Sequence, residues 1–155
     1  MIGNDIVDLR KAEKESNWRR PGYLEKLFTP EEQAMIQSAA LPDQMVWLLW
    51  SMKESAYKIM SRRRNLRSFA PRKLVCRHLT LTEQSAAGQV TYEQNQYYTS
   101  SIVNPGYVYT IACEHKDDLA KVHSIISPPH SNYAYSLSGS VSHHGRYLAL
   151  ADLSL

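Results

Sequence analysis

Cysteine is scarce in this sequence, and that scarcity excludes two kinds of scaffold. Among 155 residues only Cys76 and Cys113 occur, far apart and outside any metal-ligand spacing. Neither a disulfide framework nor a cysteine-based metal site is expected, and both cysteines read as small apolar strand residues in a reducing cytoplasm. Long apolar runs are missing as well, none approaching the roughly 18–20 residues of a membrane-spanning helix. The opening Met1-Ile2-Gly3-Asn4-Asp5 lacks the basic region, apolar stretch and cleavage site of a secretory signal, so a cytoplasmic protein is expected. No repeat, low-complexity tract or composition shift marks a second domain, so residues 1–155 are expected to form one.

What is present begins with a 43% hydrophobic composition, enough for a sizeable core and too much for a disordered chain. The net charge of +3 is unevenly placed. Residues 62–73 hold Arg62, Arg63, Arg64, Arg67, Arg72 and Lys73 and no acid, while the segments on either side are slightly acidic. Such a cluster suits phosphate, on nucleic acid or on a polyphosphorylated small molecule, and equally suits a solvated basic loop.

Ile2 to Leu9 reads as a short strand. Helical signals follow to about residue 63. Phe28-Thr29-Pro30-Glu31-Glu32 supplies a threonine N-cap, proline at the first helical position and acids in the first turn. Pro42-Asp43 starts a longer helix that runs to the arginines. From Leu74 the pattern turns to β-branched and aromatic runs at 79–82, 89–92, 97–103, 107–113 and 122–126. Ala87-Gly88 and Asn104-Pro105-Gly106 offer turn signals, residues 127–132 form a loop, and a final strand pair brackets Ser142-His143-His144-Gly145. The expected class is α+β: an N-terminal strand and helices, with one long central helix packed on a mainly antiparallel sheet.

Along that helix Met45, Leu49, Met52, Ala56 and Ile59/Met60 form one apolar stripe, while Trp47, Trp50, Glu54, Tyr57 and Lys58 share the other side. Two tryptophans on the far side predict a helix covered on both faces, with Glu54 among aromatic rings. A carboxylate there needs a partner or a cation. One solution is an i,i+4 ion pair between Glu54 and Lys58. The other is a metal site with a second oxygen donor, for which Asp5 in the first strand is the candidate. Two carboxylates with few other ligands suit Mg²⁺, which keeps waters and takes phosphate oxygens.

Four segments resemble one family. Gly3-Asn4-Asp5-Ile6-Val7-Asp8 is similar to the Gly-x-Asp-Ile-Val-Glu opening of the 4'-phosphopantetheinyl transferases. Trp50-Ser51-Met52-Lys53-Glu54-Ser55-Ala56-Tyr57-Lys58 resembles their central helix. Phe28 to Glu32 resembles a helix start common among them, and Ser140 to Tyr147 their Ser-His motif before a final strand. The order, Asp motif first and Ser-His last, resembles the short, single-unit type akin to holo-acyl-carrier-protein synthase. Val7 stands where the longer type often carries a third acidic ligand.

The resemblance implies transfer of the phosphopantetheine arm of coenzyme A to a serine of an apo carrier protein, with release of 3',5'-ADP. Asp5 and Glu54 would hold Mg²⁺, and Lys58 would reach a diphosphate oxygen. Either Glu54 or a metal-bound water would deprotonate the acceptor serine. Ser142 and His143 would meet the 3'-phosphate side of coenzyme A. The type implies a homo-oligomer, most often a trimer, with His143 reaching a neighbour's site. His144 has no corresponding role. The family's Gly-rich loop after the lysine is replaced by residues 59–67, so Arg62, Arg63 and Arg64 enter as coenzyme A contacts on their charge alone. Arg19, Arg20 and Lys26 are placed, on the first helix, for an acidic carrier protein. Competing readings are a basic nucleic-acid-binding module, disfavoured by the absence of any nucleic-acid motif, and a relative that binds coenzyme A without transfer.

Overall fold

The alternation of β1 (Ile2–Asp8) sets the layering in the computed structural model, which describes residues 1–65, 67–130 and 139–153. Odd positions face the long helix: Gly3 abuts Ser55, Asp5 feels the charges of Glu54 and Lys58, and Val7 joins the main core. Even positions face a second sheet: Ile2 packs with Ala151, Ile6 with Ala149, and the Asn4 amide donates to the Ala149 carbonyl at 3.2 Å. Period-two alternation thus lets one strand serve two layers.

After β1 come α1 (Leu9–Glu15), α2 (Tyr23–Leu27), α3 (Pro30–Ser38) and α4 (Pro42–Arg64). Asp8 caps α1, accepting from the amides of Arg10 and Lys11. Thr29 caps α3, as the Phe28–Glu32 signal foretold, and the structure adds a reciprocal capping box with Glu32. The strands β2 (Val75–Leu81), β3 (Ser85–Tyr92), β4 (Asn95–Val103) and β5 (Tyr107–Cys113) join β1 in an antiparallel sheet of order β1-β5-β4-β3-β2. A second sheet holds β6 (Val122–Ser127), β7 (Ser140–His144) and β8 (Tyr147–Leu153) in the order β6-β8-β7. The class is α+β with antiparallel sheets, as expected.

Helix α4 is covered nearly all round. The apolar stripe is buried as expected, and Trp47 is buried on the other side. Small residues let it lie close to the sheet: Ser51 and Ser55 both bond to Thr110 of β5, through its hydroxyl at 2.6 Å and its carbonyl at 3.2 Å. The helix ends where Asn65 turns left-handed, at φ 53°.

Two expectations are revised. Ala87-Gly88 is no turn but the middle of β3; Gly88 is there because a Cβ would come within 2.8 Å of the Met52 side chain. The final strand pair does not bracket Ser142 to Gly145. Ser142, His143 and His144 lie within β7, and the turn follows at Gly145, whose φ is 55°. Asn104 does form its turn, its Oδ1 accepting from the amides of Gly106 and Tyr107. Of the expected loop 127–132, residues 131 and 132 lie outside the described residues.

Candidate functional site

Asp5, Glu54 and Lys58 come together where the middle of β1 crosses α4. Glu54 and Lys58 sit one turn apart on the helix, and β1 is pressed against that turn because Gly3 has no side chain. Asp5 Oδ1 accepts a 3.4 Å hydrogen bond from the Ser142 hydroxyl. Its Oδ2 is buried and has no hydrogen-bond partner among the described residues. Lys58 Nζ donates to the carbonyls of Asn4 at 2.6 Å and Val141 at 3.0 Å, tying α4 to β1 and β7.

The electrostatics follow from this crowding. Burial raises the Asp5 carboxyl from its ordinary 3.8 to about 8; Glu54 adds to the rise, while Lys58 and Ser142 oppose it. Glu54 is raised by burial, with Lys58 again opposing. Burial depresses Lys58, against the pull of both carboxylates and with a further push from Arg62. Two desolvated carboxylates beside Lys58, one with an oxygen left over, form a donor set suited to a cation.

No group of three or more His, Cys, Asp or Glu side chains suited to a metal occurs among the described residues. A dehydrated, all-protein cage is therefore absent there. Two carboxylates fit an ion that keeps its own waters, and the orphaned Oδ2 of Asp5 fits it directly.

Beside this cluster lies a cavity of about 230 Å³ whose walls include Asp5, Trp47, Trp50, His143 and His144. Ser142 is fully engaged with β1: its hydroxyl accepts from the Ile6 amide at 3.0 Å as well as donating to Asp5. His143 is exposed on the cavity wall.

The arginines divide. Arg62 is near enough to Lys58 to depress it and reaches the Gly139 carbonyl at 3.3 Å. Arg63 binds Glu114 at 2.8 Å and Arg64 binds Glu93 at 3.1 Å, neither carboxylate lining the cavity. Part of the basic excess is thereby neutralised in place. Arg19, Arg20 and Lys26 are not on the first helix, which ends at Glu15 when Ser16 turns extended. Arg19 pairs with Asp43 and stacks on Trp18, Arg20 lies over the Tyr23 ring, and Lys26 belongs to α2. The basic residues of α1 itself are Arg10, Lys11 and Lys14.

Three supporting residues escaped the sequence reading. Lys53, beside Glu54 in the helix motif, is wholly buried and bound to Glu32 at 2.7 Å and to the carbonyls of Pro71 and Leu74. Asn4 is wholly buried between the sheets, bonded to Ser140, Tyr109 and Ala149. Asp8 takes both nitrogens of the Arg146 fork, at 3.0 and 2.9 Å. The sequence marked Glu32 only as an acid in the first turn of α3, which gave no hint of Lys53.

A model of the 4'-phosphopantetheinyl transferase superfamily matches residues 1–112, which hold Asp5, Glu54 and Lys58 but not the second sheet. Among solved structures, the chain is similar to the holo-[acyl-carrier-protein] synthase of Neisseria meningitidis (TM-score 0.57, 18% identity, 72% of this chain and 94% of that one). It is also similar to that of Thermotoga maritima (TM-score 0.50, 11% identity, 99% and 83%). At these identities the likeness speaks for the fold. No curated protein matches the sequence.

Proposed function

Because this chain belongs to the 4'-phosphopantetheinyl transferase superfamily, we propose that it moves the phosphopantetheine arm of coenzyme A onto a serine of an apo carrier protein. The observation that carries this reading is the unpartnered Oδ2 of Asp5 beside Glu54 and Lys58. Asp5 and Glu54 would hold Mg²⁺, which supplies charge neutralisation at a diphosphate.

The remaining work falls to the chain itself. An ammonium has three N–H donors; two of Lys58's are spent on the Asn4 and Val141 carbonyls, which leaves the third for a diphosphate oxygen. The acceptor serine oxygen attacks the phosphorus that carries the pantetheine arm. Its proton passes to a base of the site, for which Glu54 on α4 is the proposed carboxylate. The bond from that phosphorus to the bridging oxygen breaks, and 3',5'-ADP departs with the electron pair. Trp47 and Trp50 line the cavity and offer apolar surface to the pantetheine arm. Arg62, near Lys58, and the exposed His143 of β7 are the proposed contacts for the coenzyme A phosphates.

Chromatography of the small-molecule products tests the proposal. Coenzyme A, Mg²⁺ and an apo carrier protein should yield 3',5'-ADP with the wild-type protein and none with Glu54→Gln. No 3',5'-ADP with carriers from several pathways would overturn it.

A further inference from the structure

We infer that the segment following α4 selects the 3'-phosphate of coenzyme A: Arg67 is the cation that meets it, and Phe69 is the positioning residue that holds Arg67 at the site. The inference goes beyond the transferase reading and rests on it.

Spacing along α4 places the segment. Trp50, Glu54, Tyr57 and Ser61 follow one another at four, three and four residues and so share one face. Phe69 folds back onto that face. Its ring meets Trp50 edge-on, with centroids 5.3 Å apart, and lies tilted against Tyr57 at 4.9 Å. Trp50 and Tyr57 stand about one turn to either side of Glu54, so Phe69 spans one flank of that carboxylate. The other flank is β1, where Gly3 abuts Ser55.

The path of the chain is fixed on both sides of Phe69. Beyond it, Lys53 Nζ holds the carbonyls of Pro71 and Leu74, and Arg72 reaches the Glu25 carbonyl at 2.9 Å. Before it, α4 ends at Asn65. From Tyr57 to Asn65 the helix rises about 12 Å. Arg67 lies two residues from Asn65 and two from Phe69, steps of at most about 7 Å each. Arg67 is thereby held beside the last turns of α4, on the Glu54 face and past Lys58.

The neighbouring cations are already engaged. Arg62 reaches the Gly139 carbonyl, Arg63 binds Glu114, Arg64 binds Glu93, and Arg72 is spent on Glu25. Of the basic residues in 62–73, only Arg67 and Lys73 have no partner among the described residues. Lys73 lies past the Phe69 anchor, in the 3₁₀ turn Pro71–Lys73 that packs against α2. Arg67 is exposed and uncommitted.

The ligand follows from direction. Trp47 and Trp50 precede Glu54 on α4 and line the cavity that offers apolar surface to the pantetheine arm. The nucleotide end of coenzyme A therefore runs the other way, toward the end of the helix. Lys58 and the two carboxylates, with their metal, answer the diphosphate. The phosphate left over is the 3' one, and a free guanidinium suits it.

Isothermal titration with 3',5'-ADP and with 5'-ADP, in Mg²⁺, reads the 3'-phosphate alone. The wild type should bind 3',5'-ADP the more tightly. Arg67→Ala should weaken 3',5'-ADP about tenfold and leave 5'-ADP as it was, and Arg67→Lys should recover part of the loss. Phe69→Ala should lose the same preference by releasing Arg67, and Phe69→Tyr should keep it. In transfer assays the advantage of coenzyme A over dephospho-coenzyme A in kcat/KM should shrink by the same factor in Arg67→Ala. Because Arg67 is exposed, its variants keep the test open even if Phe69→Ala fails to fold. Equal weakening of both nucleotides in Arg67→Ala, or weakening of neither, would overturn the assignment and leave the transferase reading standing. A wild type that binds neither nucleotide would overturn the transferase reading, and this assignment with it.

Discussion

Gly3 and Ser55 meet backbone to backbone: a Cβ on Gly3 would lie 2.1 Å from the Ser55 carbonyl oxygen. The glycine that opens the first motif is thus a spacing device, letting β1 lie directly on α4. Asp5, two residues on and on the same face, owes its approach to Glu54 and Lys58 to that contact.

Gly3→Ala should therefore act on stability and chemistry together. Overpacking of this kind costs about 1–3 kcal/mol, and lifting β1 withdraws Asp5. Urea unfolding and a transfer assay on the same sample check this; unchanged transfer would separate Asp5 from the helix contact.

The Glu32–Lys53 pair should govern stability instead. Both side chains are wholly buried and satisfied, Glu32 by Lys53, the Thr29 amide and the Cys76 amide. Lys53→Met strands a buried carboxylate and should destabilise by about 3–5 kcal/mol, whereas Glu32→Leu with Lys53→Met should recover much of that loss. Chemical denaturation of the single and double variants reads the difference.

Asp5 sets a pH signature in the metal-free protein. Between its ordinary 3.8 and about 8 the folded protein holds a proton that the unfolded chain has released. That contribution is full below 3.8 and is lost as pH rises through about 8. Glu54, also raised, works in the same direction, and the depressed Lys58 works in the opposite one at more alkaline pH. Compared with Asp5→Asn, the wild type should lose stability from pH 5 to 8 by at most about 1.4 kcal/mol per pH unit. Added Mg²⁺ should reverse the loss in the wild type alone. Thermal unfolding over that range, with and without Mg²⁺, tests both signs.

Removing either carboxylate should cost transfer far more than folding. Asp5→Asn and Glu54→Gln keep the shape of the site and remove its charge, so a loss of at least about 100-fold in kcat/KM is expected with cooperative unfolding retained. Isothermal titration should show that Mg²⁺ no longer strengthens coenzyme A binding in either variant.

Much of this was legible in the sequence because it is written in short periods. The strand at Ile2 to Leu9, the N-cap at Thr29 and the two stripes of α4 each need only a few residues, and the stripes together with the family motifs singled out Asp5, Glu54 and Lys58. What stayed hidden depends on long-range partners. Ser140, Ser142 and His144 receive amides 136 residues away. Lys53 meets Glu32, which the sequence presented only as an acid in the first turn of α3. Gly88 resembles a turn glycine until Met52 is seen above it. Charge alone grouped Arg62, Arg63 and Arg64, whereas the tertiary positions of Glu93 and Glu114 separate them.

The most direct test of the central claim is the intact mass of apo carrier proteins after incubation with this protein, coenzyme A and Mg²⁺. The account predicts a gain of one phosphopantetheine mass on the acceptor serine, abolished by EDTA and by Glu54→Gln. An unchanged mass on every carrier tried, or an equal gain with Glu54→Gln, would contradict it.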